Sequence, residues 1–162
     1  MDFLWSPWRS HYVAGTQEQT GCLFCCLARE AAPEADAERY ILFRGLLNFV
    51  VLNRYPYSSG HVMIAPYAHL ALLGEADKTT TDELMDLTKR AQRALGVEYR
   101  PDGYNLGMNL GRAAGAGVAD HFHQHLLPRW VGDANFMTTV GETRVLPEDL
   151  AETYWKLKRH FS

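Results

Sequence analysis

The chain has 162 residues, 47% of them hydrophobic, with a formal net charge of −3. That length suits one domain with a sizeable core, and the mildly acidic balance excludes a global basic field drawing the protein to nucleic acid or anionic membrane. No apolar run approaches the roughly 20 residues of a membrane span, and the opening MDFLWSPWRS lacks the basic and apolar regions of a signal peptide, so a cytoplasmic location is expected.

Residues 1–20 begin with Phe3, Trp5, Trp8 and Tyr12 and then turn polar, which predicts an arm that packs on a neighbouring surface of the same chain or of a second subunit. Residues 21–162 are expected to form a single domain. Cys22, Cys25 and Cys26 fall together in GCLFCCL. In a reducing compartment, Cys-x-x-Cys signals metal or redox chemistry more often than a structural disulfide. Residues 28–38 read as a linker or frayed helix.

Three short strands follow at 40–44, 47–52 and 61–65, the last two separated by NRYPYSSG with Pro56 and Gly60 as punctuation. Thr80 and Glu83 form a candidate capping box. Leu84, Leu87, Ala91, Ala94 and Leu95 recur at helical spacing, so a helix is predicted over 81–95. A strand at 104–110, a glycine-rich loop GRAAGAG at 111–117 and a histidine-bearing strand come next. Pro147, Glu148 and Asp149 open a second helix through about Arg159, with Lys156, Lys158 and Arg159 in its last turn to match the helix dipole. Neighbouring strands joined by short loops imply an α+β fold with an antiparallel sheet and two helices on one face.

The chemistry concentrates in HFHQHLLPR, residues 121–129, where His121, His123 and His125 alternate with other residues. In an extended strand that spacing puts all three rings on one face, roughly 6.5 to 7 Å apart. Buried imidazoles need partners for both nitrogens, so ordinary packing does not favour three of them in register. Two readings stand: the face grips a metal, or it handles a phosphate with one ring attacking. Gly111, Gly115 and Gly117 allow backbone amides of the adjoining loop to turn inward as an anion cradle, and Asn109 just before it offers a side-chain amide. Cys22, Cys25 and His69 with one triad histidine would complete a Cys2His2 set suited to tetrahedral zinc.

HFHQHLLPR resembles the signature of the histidine triad (HIT) family, with Gln124 in place of the usual hydrophobic spacer. FVVLNRYPYSSGHVMIAPYAH is similar to the family's early strand pair and DGYNLGMNLGRAAGAG to its phosphate-side loop, a likeness running from about Cys22 to Phe136. The ends of the chain resemble the bacterial branch associated with diadenosine tetraphosphate, its phosphorylases in particular. The family's Gly-Gln pair is absent, Ala116 and Gly117 standing there.

The resemblance implies a HIT-like α+β fold: a five-stranded antiparallel sheet with two main helices, pairing into a homodimer with one continuous sheet. It implies cleavage at the α-phosphate of a dinucleoside polyphosphate through a nucleotidyl intermediate on His123, by phosphorolysis or hydrolysis. His125 and His61 would lie against the phosphate, Asn53 would hold the ribose, and Cys22, Cys25, His69 and His121 would bind a structural zinc. No organic cofactor is expected, and no nucleic-acid or membrane partner. A nucleotide-binding module without turnover and a catalytic metal site on His121, His123 and His125 are the alternatives. A uridylyltransferase relative fits less well, since His125 stands where those relatives carry Gln. Val51 and Met63 are candidate walls for the base. His11 and His160 are assigned to the surface.

Overall fold

The structure is a computed structural model, and it describes residues 21–29, 33–133 and 147–161. The arm expected at 1–20 lies outside the described residues. Five strands form one antiparallel sheet: β1 (Ile41–Arg44), β2 (Asn48–Leu52), β3 (Val62–Pro66), β4 (Gly103–Met108) and β5 (Gln124–Arg129), in the order β1-β2-β3-β5-β4. Among the described residues four α-helices accompany them: α1 (Leu23–Arg29), α2 (Pro33–Glu38), α3 (Lys78–Tyr99) and α4 (Leu150–Lys158). Among the described residues, no helix is long and apolar enough to cross a membrane.

Strand alternation divides the core between two faces of the sheet. Leu42, Val50, Leu52, Val62, Ile64 and Leu126 face the apolar stripe of α3 and α4, formed by Leu84, Leu87, Ala91, Leu95, Tyr154 and Leu157. Phe49, Val51, Met63 and Ala65 face the other way and pack beneath α1, mainly against Phe24. Residues 28–38, expected to be a linker or frayed helix, include the end of α1 and all of α2, and Arg44 ties the two to β1. Its guanidinium forks onto Asp36 at 2.8 and 3.0 Å and donates to the carbonyls of Leu27 and Ala28, the orphan acceptors at the end of α1.

Helix α3 is longer than the apolar stripe alone predicts. It starts at Lys78 because Asp77, not Thr80, is the cap: the Asp77 carboxylate accepts from the Thr80 amide at 2.7 Å. Glu83 does not close a capping box. It reaches across to the β1–β2 turn and accepts from the amides of Leu46, Leu47 and Asn48 and from the Asn48 side chain. The helix ends at Arg100, which takes a left-handed conformation before Pro101. Helix α4 is capped by Asp149, with Glu148 bound to Tyr99 and Thr153.

The two outer strands are treated differently. Leu42 is the extra residue of a bulge in β1, and Lys158 of α4 donates to its carbonyl at 2.9 Å. Strand β4 carries glycines at 103 and 107 and leaves Leu106 half exposed, with no described element on its outer side. His160, expected at the surface, is half-buried: it and Arg159 both bind Glu98.

Candidate functional site

Three of the four histidines in the central cluster come from one short stretch, but only one of them is in the ladder. Strand β5 begins at Gln124, so His121 and His123 lie in the lead-in before it, His121 at a bend, and His125 is its second residue. The expectation of three rings on one continuous strand is corrected accordingly. The lead-in follows main-chain partners outside the sheet: the Phe122 amide donates to the Leu70 carbonyl at 2.7 Å. The His121 ring turns towards the cysteines, whereas His123 and His125 stand together, ring centroids 4.8 Å apart. His61, just before β3, lies 5.1 Å from His125.

Main-chain groups dictate which nitrogen of each ring carries the proton, because a carbonyl can only accept and an amide N–H can only donate. His123 Nδ1 lies 3.0 Å from the His121 carbonyl, so Nδ1 holds the proton and Nε2 keeps its lone pair. His61 Nδ1 accepts from the Tyr57 amide at 3.2 Å, so its proton is on Nε2, which donates to His125 Nδ1 at 2.9 Å. His125 therefore carries its own proton on Nε2. Among the described residues, neither His123 Nε2 nor His125 Nε2 has a partner: one ring offers a lone pair and its neighbour offers a proton.

Burial reinforces this neutral state. His61, 1% exposed, is pushed down from 6.5 to about 3, by desolvation first and then by His125 and His123. Desolvation, followed by His123, takes His125 down to about 4. His123 is also lowered, chiefly by burial, against the opposing effect of the His121 carbonyl. A neutral imidazole is what nucleophilic attack requires.

Cys22 precedes α1 and Cys25 lies within it, while His69 follows β3. With His121 they bring four ligand atoms within 4.8 Å of one another. His121 Nε2–H donates to the Pro66 carbonyl at 2.9 Å, which leaves Nδ1 as the ligating atom, 3.3 Å from Cys22 Sγ and 3.7 Å from Cys25 Sγ. His69 Nδ1 lies 3.3 Å from Cys25 Sγ. Two sulfurs and two imidazole nitrogens at these separations fit a tetrahedral divalent ion. Burial and the neighbouring Cys22 push the Cys25 thiol up, so a cation binding there displaces a proton.

The remaining expected residues divide. Asn53 is drawn into the histidine cluster: its Nδ2 lies 3.3 Å from His61 Nδ1, and its Oδ1 accepts from the Tyr55 amide. Asn109 follows Met108, which pairs with Gln124, so the chain leaves the ladder at the level of His123. In the glycine loop, Gly111 and Gly115 take positive φ. The amides of Ala114, Gly115 and Ala116 are directed at the carbonyls of Gly111 and Arg112. Those three close the loop's own turn, and Gly117 belongs to the same loop. Phe24 and Tyr57 escaped sequence reasoning. Phe24 packs on His121 and His123 with centroids 5.3 and 4.6 Å away, and Tyr57 lies 4.8 Å from His61. The position of Phe24 between the cysteines was its only signal.

A five-stranded antiparallel sheet carrying paired neutral imidazoles beside a Cys2His2 cluster defines a HIT-like α+β domain. The HIT domain family matches residues 34–131. Over 154 residues the chain is 38% identical to the AP-4-A phosphorylase of Mycobacterium tuberculosis (strain H37Rv), spanning 93% of this chain and 79% of that protein. It is 27% identical over 137 residues to adenosine 5'-monophosphoramidase hnt1 of Schizosaccharomyces pombe, covering 80% and 96% of the two chains. A Zn-bound histidine triad family protein from Mycobacterium smegmatis matches with a TM-score of 0.68 at 25% identity, covering 87% of this chain and 93% of that one. The chain belongs to the histidine triad family, and it is an enzyme.

The depressed histidines set a sign for stability against pH. Near pH 5 the unfolded chain protonates His61 and His125, whose ordinary value is 6.5, while the folded chain does not. Stability should therefore fall as pH drops from about 6.5 towards about 4, by about 1.4 kcal/mol per pH unit for each such histidine. Urea titrations across that range should show a steeper loss for wild type than for His61→Gln, by about one proton.

Proposed function

We propose that the protein cleaves dinucleoside polyphosphates of the diadenosine tetraphosphate kind at the α-phosphate, through a nucleotidyl intermediate on His123. The observation that carries this reading is the free lone pair on His123 Nε2 beside the free N–H of His125. The identity to an AP-4-A phosphorylase supports the substrate class.

In the first displacement Nε2 of His123 bonds to the α-phosphorus and the bridging P–O bond breaks. The electron pair leaves with the nucleoside polyphosphate, an anion that needs no added proton. His125 Nε2–H donates to a phosphoryl oxygen where charge builds, held in that tautomer by His61. The His121 carbonyl, already accepting from Nδ1–H, stabilises the positive charge that His123 acquires. In the second displacement an oxygen of inorganic phosphate bonds to phosphorus, the P–N bond breaks and its electrons return to Nε2, releasing a nucleoside diphosphate. Water in the same place gives a nucleoside monophosphate and loses its proton to solvent.

Phosphorolysis is the favoured branch, on the identity to the phosphorylase. Asn53 is assigned to the ribose as well as to His61, and Asn109 with the loop containing Gly111, Gly115 and Gly117 to the polyphosphate side. The Cys22, Cys25, His69 and His121 cluster is assigned to zinc. With four protein ligands and no open position, zinc there would supply structure, clamping α1 and Phe24 onto the histidine segment. We further assign the β4 edge, which no described element covers, to a homodimer with a continuous sheet, and the cytoplasm as the location.

With diadenosine tetraphosphate as substrate, ADP plus ATP should form only when inorganic phosphate is present, and His123→Ala should yield neither. Products independent of phosphate, AMP plus ATP, would assign hydrolysis instead; equal turnover by the variant would refute the nucleophile. Purified protein should hold close to one zinc per chain by elemental analysis. A strong chelator, or Cys25→Ser, should lower the thermal midpoint by roughly 5–10 °C before room-temperature turnover is lost. Leu106→Glu should shift the protein from dimer to monomer by light scattering.

A further inference from the structure

Gln124 separates His123 from His125, and its side chain leaves the opposite face of the chain. It is 4% exposed, with Nε2 donating to Thr88 Oγ1 of α3 at 2.5 Å. That hydroxyl donates onward to the Leu84 carbonyl at 2.7 Å. Around this chain of polar groups lies the core of Ile64, Leu84, Leu87, Phe122 and Leu126. An apolar side chain would fill the place without desolvating an amide, and a satisfied hydrogen bond there adds little net stability over a well-packed apolar pair. What it adds is direction. Leucine can slide along a groove of α3, whereas an N–H···O bond fixes the roll of the chain at residue 124.

That roll matters because of where the ladder starts. The pairings of Gln124 with Ile64 and Met108 are the last at this end of β5, so His123 lies just beyond the final rung, between Gln124 and the Phe122 amide bound to Leu70. Helix α3 spans 22 residues across this face of the sheet and supplies a fixed anchor. We propose that Gln124 and Thr88 are positioning residues, fixing through α3 the directions in which the His123 and His125 imidazoles point. The assignment rests on the reading of His123 as nucleophile.

The test compares kcat, KM and the imidazole nitrogen NMR spectrum of Gln124→Leu, Thr88→Val, Thr88→Ser and the Gln124→Leu/Thr88→Val double variant, with diadenosine tetraphosphate as substrate. Gln124→Leu and Thr88→Val should each lower kcat about tenfold or more with KM changed less than about twofold. Thr88→Ser, which keeps the hydroxyl, should stay near wild type, and the double variant should be no worse than either single one. The His123 and His125 nitrogen signals should move in Gln124→Leu. Folded variants with wild-type kcat and unmoved signals, or losses that add in the double variant, would overturn the proposal. Where Gln124→Leu fails to fold, the contrast between Thr88→Val and Thr88→Ser decides. His123→Ala assayed alongside separates the two ideas: turnover surviving in it removes the nucleophile, while the nitrogen spectra still report whether Gln124 orients the rings.

Discussion

Backbone groups have fixed polarity, and in this protein that property governs the buried imidazoles. The Pro66 and His121 carbonyls can only accept and the Tyr57 amide can only donate, so the protons on His121, His123 and His61 are assigned before any ligand arrives. His61 passes its assignment to His125 through a side-chain bond. One carbonyl and one imidazole of His121 serve two neighbours: the ring turns its lone pair to the cysteines while the main chain holds His123. The candidate metal cluster and the candidate nucleophile are thus built on the same residue.

The sheet separates support from chemistry. One face is closed by α3 and α4 over a continuous apolar core. The other carries Phe49, Val51, Met63 and Ala65, packed with Phe24 of α1. Val51 and Met63, expected as walls for a base, lie on this second face beside His125, which pairs directly with Met63. Arg44 joins α1 and α2 to β1, so the helix bearing Cys25 and Phe24 is held at both ends: by the cysteine–histidine cluster and by the Arg44 guanidinium on the Leu27 and Ala28 carbonyls.

Much of this was legible in the sequence because periodicity and residue chemistry pointed the same way. The stripe from Leu84 to Leu95 located α3, and the Cys-x-x-Cys pair with His69 and His121 located four donors that the fold does bring together. The failures were of long-range partnership. Thr80 and Glu83 have the spacing of a capping box, yet Asp77 is better placed to cap, and Glu83 finds four donors in a turn some 35 residues away in sequence. Gln124 reads as a departure from a hydrophobic pattern because nothing local reveals Thr88. Similarly, alternation cannot show that His121 and His123 precede the ladder, since that depends on Leu70 capturing the Phe122 amide.

Lys158 at the bulge of β1 sets a limit on growth. With the Leu42 carbonyl already engaged, the β1 margin offers a poor template for another strand, while no described element covers β4. In the β4-to-β4 pair proposed above, both outward margins would be β1, and a third chain would find a poor template to extend. Lys158, on the last described helix, would then favour a closed pair over an open-ended fibre.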